Sequence, residues 1–326
     1  MRYSPARAIF GAILSSGLFV GIAHAQSIEG QGKFTPKSAL AVPRNEVIAA
    51  AVNGKIYVLG GNYPRQKYDV AANEEYDPAA DQWRERAPMP KGANHLGATV
   101  LNGKIYTVGG FDAEVHSAGM NYLFEYDPKI DSWRTLASLP VGRGSISAAA
   151  AGGKIHAFGG RKSEKEMTAY HDIYDPATNT WSEGPPLPKG RDHMTVLTVN
   201  DKIHVIGGRY GRPQEASELH DVFDPATNTW TTAPPLPTPR SGGAGTVYKG
   251  MIVVMGGEGG GASNGTFNET EAFDLKTNKW ITLQAMPTGR HGFGLATVGD
   301  AAYIITGARG GGSRDVDTAV FAFTLP

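Results

Sequence analysis

The sequence predicts an all-β protein, a six-bladed β-propeller in which every blade is a four-stranded sheet. Internal similarity with a period of about 50 residues is the first reason, because periods of this length are typical of stacked and ring-forming repeats. The second reason is a constant spacing, since every tryptophan follows another aromatic residue by seven positions. The third is a pair of glycines that ends an apolar run before each of these aromatics.

These landmarks recur in the same order along the chain. The tryptophans are Trp83, Trp133, Trp181, Trp230 and Trp280. The aromatics before them, each followed by an aspartate, are Tyr76-Asp77, Tyr126-Asp127, Tyr174-Asp175, Phe223-Asp224 and Phe273-Asp274. The glycine pairs are Gly60-Gly61, Gly109-Gly110, Gly159-Gly160, Gly207-Gly208 and Gly256-Gly257, with Gly307-Ala308 in the sixth copy.

Each copy divides into four strands. In the first copy a strand runs from Val47 to Val52 and is followed by Asn53-Gly54, a pair that favours a type I′ hairpin turn. The second strand ends at the glycine pair, where the lack of a side chain permits close backbone approach. The third ends at the aromatic-Asp turn, and the fourth begins near the tryptophan. The matching turns are Asn102-Gly103, Gly152-Gly153, Asn200-Asp201, Lys249-Gly250 and Gly299-Asp300.

This combination of a glycine pair, an aromatic-Asp turn (usually aromatic-Asp-Pro) and a spaced tryptophan resembles the kelch repeat. The resemblance covers essentially all of the chain after its first residues, and it implies one propeller blade for each copy. The sixth copy lacks a tryptophan strand, because the chain ends at Pro326. The segment from Phe34 to Arg44 has the aromatic-to-arginine spacing of the segment from Trp230 to Arg240. We therefore predict that residues 34–42 form the outer strand of the last blade and close the ring.

The first 25 residues are typical of a signal peptide. Arg2 and Arg7 precede an uncharged apolar run, and Ala23-His24-Ala25 is a small-x-small cleavage signal. The run is too short to span a bilayer comfortably, so we expect cleavage rather than membrane insertion. The predicted organisation is a signal peptide at residues 1–25 and a propeller at residues 26–326, in a periplasmic or secreted protein.

Composition excludes several function classes. The 31 basic and 31 acidic residues cancel and form no cluster, which argues against nucleic-acid binding. The chain has no cysteine, so thiolate catalysis and thiolate metal sites are excluded. Copper radical oxidases share the repeat architecture, but their cofactor requires a tyrosine linked to cysteine. We predict no cofactor and no bound metal.

Residues that recur in every blade are expected to hold the fold rather than a ligand. We expect the tryptophans to be buried, so that truncating one would cost about 3–5 kcal/mol. Five arginines precede the first strands, and the second blade has Ala93 at that place. We expect each arginine to pair locally, with a turn aspartate as the partner. They are Arg44, Arg143, Arg191, Arg240 and Arg290.

Function is expected where the copies differ, in two loop sets around one mouth of the channel. One set precedes each first strand and the other follows the glycine pair. Their histidines, arginines, acids and aromatics suit a carbohydrate, a small polar acid or a protein partner. The predicted ligand-binding residues are Asn45, Glu46, Asn94, His95, Arg161, Asp192, His193, Arg209, Tyr210, His291 and Arg309.

Two more specific chemistries stay open. His95, His193 and His291 come from alternate blades and would form a metal site if they converged, although three independent hydrogen-bonding histidines is the interpretation we adopt. The chain also resembles periplasmic sialic-acid mutarotases, which place an acid directly after one glycine pair with an arginine nearby. Glu258 matches the acid and would act as acid or base. Residues 259–264 lack the arginine, for which Arg240, Arg290 or Arg309 would have to substitute.

Overall fold

A computed structural model describes residue 1 and residues 28–63, 70–112, 118–163 and 166–326. This part contains six four-stranded antiparallel sheets and two short hairpins. Its only helical segments are 3-10 turns at Pro213–Glu215 and Ser263–Gly265. No helix within these ranges is long and apolar enough to cross a membrane. The predicted signal peptide lies almost entirely outside the described residues.

The strands of each blade are given from the channel outwards. Blade 1 contains Ile48–Val52, Lys55–Leu59, Asn73–Asp77 and Gln82–Glu85, and blade 2 contains Gly97–Leu101, Lys104–Val108, Leu123–Asp127 and Ser132–Thr135. Blade 3 contains Ser147–Ala151, Lys154–Phe158, His171–Asp175 and Thr180–Glu183, and blade 4 contains Thr195–Val199, Lys202–Ile206, His220–Asp224 and Thr229–Thr232. Blade 5 contains Ala244–Tyr248, Met251–Met255, Thr270–Asp274 and Lys279–Thr282, and blade 6 contains Gly294–Val298, Ala301–Ile305, Val320–Thr324 and Lys33–Lys37. The short hairpins pair Arg161–Ser163 with Glu166–Met167 and Ala308–Gly310 with Arg314–Val316.

The six blades form a closed ring. The first strand of each blade packs against the first strand of the next, and that of blade 6 packs against that of blade 1. Within the part of the chain that the structure describes, six apolar clusters form the core, and each lies between two neighbouring blades. The predicted six-bladed propeller is therefore confirmed.

The N-terminal strand closes blade 6 as predicted. Lys33–Lys37 pairs antiparallel with Val320–Thr324, which places Phe34 opposite Phe323. The two phenyl rings have centroids 4.8 Å apart. The paired segment is shorter than the expected residues 34–42, but Leu40 extends the contact because its N–H donates to Thr318 and its side chain is only 2% exposed.

The turns between first and second strands follow the prediction in five blades. Both turn residues have positive φ at Asn53-Gly54 and at its counterparts in blades 2 to 5. In blade 6 only Gly299 does, with φ of 58°, whereas Asp300 does not. A positive φ at the first turn residue alone is the pattern of a type II′ turn, so the expected equivalence fails there.

The tryptophans connect neighbouring blades but are not buried. Each indole N–H donates to a main-chain carbonyl of the preceding blade, as Trp133 does to Ala87 at 2.7 Å. All five are half-buried on outer strands, so the expectation that they are buried is wrong, and the truncation cost given for a buried tryptophan does not apply to them. The buried residue is the aromatic seven positions before each tryptophan. Tyr126, for example, is fully buried, and its hydroxyl donates to Asp131.

The five arginines are buried and paired, which confirms their structural role. The partner is an acid on or near the third strand, however, and not the turn aspartate. Arg191 Nη2 lies 2.8 Å from Asp221, whereas the turn residue Asp224 pairs with Lys202. In blade 2 both members are replaced together, by Ala93 and Phe124. The corresponding pairs are Arg44–Glu74, Arg143–Asp172, Arg240–Glu271 and Arg290–Asp317.

The glycine pair is where one blade's backbone meets the next. At Gly109 an added Cβ would lie 2.4 Å from the carbonyl oxygen of Arg143, and the N–H of Gly110 donates to that same oxygen. In blade 6 the corresponding positive φ values belong to Thr306 and Gly307, not to Gly307-Ala308. The sixth pair is therefore one residue earlier than the sequence analysis placed it.

Candidate functional site

A cavity of about 190 Å³ lies on the propeller axis. Small residues of the first strands line its wall. At one end it meets six equivalent residues, each two positions before the start of a first strand, which we call the axial ring. The axial ring consists of Glu46, His95, Ser145, His193, Gly242 and Gly292.

All six residues of the axial ring have left-handed backbone, with φ between 49° and 62°. Their peptides form hydrogen bonds from blade to blade at 3.0 to 3.4 Å, as when His193 donates to the Ser145 carbonyl. Left-handed backbone costs a residue with a side chain about 1 kcal/mol or more relative to glycine. The ring therefore holds Glu46, His95, Ser145 and His193 in place against a local preference.

The residues before the axial ring join it to the second loop set. Each forms a backbone bridge with the residue that follows the glycine pair. The bridges are Asn45–Asn62, Asn94–Phe111, Gly144–Arg161, Asp192–Arg209, Ser241–Glu258 and His291–Ala308. Ala308 thus occupies the sixth position of this loop set, where the sequence analysis expected Arg309.

Glu46 lies at the centre of the charged groups. Its carboxylate oxygens are 3.3 Å from His95 Nε2 and 3.4 Å from His291 Nε2. Burial alone would raise the pKa of Glu46, but the surrounding imidazoles outweigh it and hold the pKa far below its usual range. Burial lowers the pKa of His95, whereas for His291 the bond to Glu46 prevails and the pKa is raised. Glu46 is therefore an anion, and His291 is the more basic of its two partners.

Arg209 connects a second group of predicted residues. Its guanidinium forms an ion pair with Glu258 and lies 3.0 Å from His193 Nε2 and 3.4 Å from Asp192 Oδ1. Arg161 pairs with the other oxygen of Asp192. Glu258 Oε2 is also 3.9 Å from His291 Nε2, which joins this group to Glu46. Both loop sets therefore contribute to one buried network.

The arginine next to Glu258 is not one that the sequence analysis suggested. Arg240 pairs with Glu271, and Arg290 pairs with Asp317. Arg309 is 47% exposed on its side chain and faces Asp317. Arg209 of blade 4 takes the place instead, since its guanidinium forms the ion pair with Glu258 of blade 5.

Two histidines of the axial ring are held in the same way. The Nδ1 atom of His193 is 2.7 Å from the Asp192 carboxylate, and that of His95 contacts the Asn94 side-chain oxygen. An acceptor at Nδ1 fixes the proton there and leaves Nε2 with its lone pair. The two rings lie edge to face with centroids 5.0 Å apart.

Three predicted ligand-binding residues lie outside this network. Tyr210 contacts Ser217 through its hydroxyl at 3.0 Å and carries Lys189 over its ring. Asn45 is fully buried and donates to Ser313. Arg309 belongs to the exposed hairpin of blade 6.

Ser145 is the one member of the axial ring with a side chain that the predicted binding residues did not include. It is 4% exposed, and its hydroxyl has no hydrogen-bond partner among the described residues. Phe111 was also missed, and its buried ring packs under Gly144 and against His95. The signal for Ser145 was available, because it aligns with Glu46 and His95 when the copies are superposed.

Known proteins resemble this chain in parts of its sequence and in its fold. It is 40% identical to Kelch-like protein terF of Aspergillus terreus over 74 residues. This matched segment is 22% of this chain and 16% of that protein. It is 41% identical over 80 residues to N-acetylneuraminate epimerase of Pasteurella multocida, again 22% of this chain and 20% of the relative. The matched segments thus span at most a fifth of these relatives. The solved structure described as "Structure of YjhT" superposes on this chain with a TM-score of 0.75 and 19% identity. The match covers 89% of this chain and 97% of that structure, and it shows a likeness of fold alone.

Family models match most of the propeller. The KLHDC2/KLHL20/DRC7 Kelch-repeats domain matches residues 137–311, and the Kelch motif matches residues 43–90 and 93–140. The first of these matches alone covers more than half of the chain. With the six blades and their repeated landmarks, these matches show that the chain belongs to the kelch-repeat family.

Proposed function

We propose that the protein binds a small polar ligand, a carbohydrate or a polar acid, at the axial ring. The observation that carries the proposal is the left-handed backbone of that ring. Glycine meets this backbone requirement at lower cost, and Gly242 and Gly292 do so in blades 5 and 6. Blades 1 to 4 instead carry side chains that exchange hydrogen bonds or protons. Strain of this kind is concentrated at binding and catalytic sites.

The chemistry of the ring favours a ligand with hydroxyl groups. Glu46 accepts hydrogen bonds as an anion, and the imidazole nitrogens add donors and acceptors. The Ser145 hydroxyl and the Nδ1 atom of His291 are buried without a hydrogen-bond partner among the described residues. A buried polar group left unpaired costs about 1–3 kcal/mol, which a ligand hydroxyl would recover. A ligand carboxylate would instead have to displace Glu258 from Arg209.

Binding is tested by isothermal titration calorimetry with a panel of neutral sugars, sugar acids and small dicarboxylates. The variants His95→Gly and Glu46→Gln remove ring functions, and the first restores the residue type that blades 5 and 6 use. We expect at least one compound to bind and both variants to weaken it. The matched control is His204→Val with His220→Thr, which removes two buried histidines away from the axis. Absence of binding across the panel would contradict the proposal, as would equal binding by all variants.

Catalysis of sugar anomer or epimer exchange is a second candidate, with Glu258 as acid or base. Two observations favour it. A matched relative is named N-acetylneuraminate epimerase, and Glu258 lies next to His291 and Arg209 in a network that contains both acidic and basic groups. Proton exchange at a sugar needs one acid and one base beside the substrate. Glu258 forms an ion pair with Arg209 and lies 3.9 Å from His291, which would act as its proton-exchange partner.

Proton NMR of anomer exchange, with N-acetylneuraminate and neutral sugars as substrates, separates the enzyme from a binding module. An enzyme would accelerate exchange and lose that acceleration in Glu258→Gln, while a Glu46→Gln variant would report whether the ring carboxylate participates. Ligand binding without acceleration of exchange would support a binding module that does not catalyse this reaction.

We also propose that the protein is exported, on the basis of the sequence of residues 1–25. Mass spectrometry of the protein recovered from its native host should show an N-terminus at Gln26. Kelch propellers commonly bind proteins or small ligands, so capture from an envelope extract provides the test for a protein partner. A partner that is captured equally by the Glu46→Gln variant would bind elsewhere on the propeller.

A further inference from the structure

We propose that the axial ring binds one divalent transition-metal ion through Glu46, His95 and His193. The sequence favours independent histidines and predicts no metal, but the geometry points to the opposite conclusion. One ligand atom from each of the three residues lies within 4.8 Å of the other two. The proposal concerns these side chains alone and does not depend on which organic ligand the propeller binds.

The separation between two of the three proposed ligands is close to that of a bound site. Ligands at about 2.0–2.1 Å from a tetrahedral metal are about 3.3 Å apart, and His95 Nε2 is 3.3 Å from Glu46 Oε2. The ligand atom of His193 lies within 4.8 Å of the other two and would have to move closer to complete the triad. His291 Nε2, 3.4 Å from the other Glu46 oxygen, is placed either as a fourth ligand or as a hydrogen-bond donor to that oxygen.

Second contacts orient both histidines for coordination. Metal-binding histidines almost always donate their other ring N–H to a carboxylate or carbonyl oxygen. His193 does so to Asp192, and His95 contacts the Asn94 oxygen in the same way. These two residues precede the histidines at equivalent places in blades 2 and 4, so the repeat produces the same arrangement twice.

A polar group without a partner faces the same cavity. The Ser145 hydroxyl is buried and has no hydrogen-bond partner among the described residues, yet Ser145 lines the cavity together with the three proposed ligands. It is placed to accept or donate a hydrogen bond to a water bound by the metal. The small residues of the channel wall leave room for such a water.

Arg209 is the group that a metal would have to accommodate. Its Nη2 lies 3.0 Å from His193 Nε2, the atom proposed to bind the metal. Asp192 and Glu258 hold the guanidinium independently, so it can release His193 and keep two partners. The network contains three carboxylates, including Glu46, against two guanidiniums.

The ligand set selects the kind of metal. Imidazole and carboxylate ligands suit zinc, cobalt, nickel and copper ions, and two histidines with one carboxylate also bind iron(II). Hard ions such as calcium prefer sites made of oxygens. We therefore expect the site to bind Zn²⁺ and Co²⁺ and to discriminate against Ca²⁺.

The test uses the full mature chain without an affinity tag, after treatment with a chelator. Titration with Zn²⁺, followed by calorimetry, should show one equivalent, and Co²⁺ should produce visible absorption bands. His95→Gly and His193→Gly should each lower Zn²⁺ affinity by more than about 100-fold, and Asn94→Ala by about 10- to 100-fold. The glycine variants suit the left-handed backbone, and their melting temperature without metal verifies folding.

The buried-pair variant His204→Val with His220→Thr is the control and should bind Zn²⁺ as the wild type does. Absence of stoichiometric Zn²⁺ binding would overturn the proposal, and so would binding that survives His95→Gly and His193→Gly. Because no organic ligand is present in this titration, its failure leaves the proposed ligand binding untouched. Failure of the sugar panel likewise leaves the metal site standing.

Discussion

Two buried histidine pairs should make the propeller sensitive to acid. In blade 3, His156 Nδ1 lies 2.9 Å from His171 Nε2, and His171 Nδ1 lies 2.9 Å from the Pro185 carbonyl. The carbonyl can only accept, so His171 donates from Nδ1 and accepts at Nε2. Blade 4 repeats this chain with His204 and His220. The arrangement requires His171 and His220 to be neutral, because a proton on Nε2 of either ring would face the N–H of its partner.

Burial strongly disfavours the charged form of all four rings. It lowers the pKa of His156, His171 and His204 to about 4 and that of His220 to about 3, against 6.5 for a free histidine. Because each histidine has a lower pKa in the folded chain than in the unfolded chain, its contribution to the free energy of unfolding is fully present above about pH 6.5. That contribution is lost as the pH falls towards 4. At pH 5, protonation stabilises the unfolded chain by about 2 kcal/mol per histidine. The folded chain does not gain this stabilisation, because its histidines stay neutral. One pair thus accounts for about 4 kcal/mol of the loss between pH 7.5 and pH 5.

The chain supplies its own replacement for one pair. Val253 and Thr270 occupy in blade 5 the places of His204 and His220, so the double variant His204→Val with His220→Thr copies a blade that this fold already contains. We expect its free energy of unfolding, measured by urea titration with tryptophan fluorescence, to fall by about 4 kcal/mol less than that of the wild type between pH 7.5 and pH 5. Packing changes affect both pH values equally and cancel in this difference.

Ile206→Val is the matched control, because it removes a buried methyl from the same blade without removing a titrating group. Its loss of stability with pH should equal that of the wild type. If the double variant also loses as much as the wild type, the histidines are not neutral in the folded protein and the reasoning fails.

Three further changes test the fold. Deleting residues 26–42 removes the outer strand of blade 6 and should lower the melting temperature sharply; a truncated chain that melts like the mature protein would contradict closure by this strand. Arg191→Ala leaves Asp221 buried without its cation and should cost about 3–5 kcal/mol, whereas adding Asp221→Phe copies blade 2 and should recover most of it in urea unfolding. Gly109→Ala places a Cβ 2.4 Å from a carbonyl oxygen and should cost far more in the same assay than Gly103→Ala, whose Cβ meets open space and whose left-handed backbone costs about 1 kcal/mol.

The fold could be predicted because each blade carries several of the repeated landmarks. A glycine pair, a turn and a tryptophan at constant spacing leave little choice of strand order, and Phe34 identified the missing sixth outer strand. The glycine pair of blade 6 was misplaced because residue type was taken to indicate backbone conformation. Thr306 has φ of 56° at a position where the other blades have glycine, and its hydroxyl donates to the Arg44 or Asp317 carbonyl. Sequence alone shows no reason for a β-branched residue there.

The site could be predicted only as a set of residues on one face. The loop sets contained most of the buried network, but contacts between blades depend on the closed ring. Arg209 and Glu258 are 49 residues apart and meet because their blades are neighbours, which the blade order could have indicated. That Tyr210 turns towards Ser217 and Lys189 instead depends on local loop geometry, which the sequence does not reveal.

The unequal axial ring explains how six similar blades produce one asymmetric site. An added Cβ at Gly292 would lie 2.8 Å from the Glu46 carboxylate, and one at Gly242 would contact His291 and Glu258. Gly292 therefore provides the space that the Glu46 side chain occupies. Gly292→Ala should disturb the charged network while leaving the blades intact, whereas Gly242→Ala places its Cβ at ordinary contact distance and should disturb the network less. The site thus depends on a position without a side chain as well as on the four positions that have one.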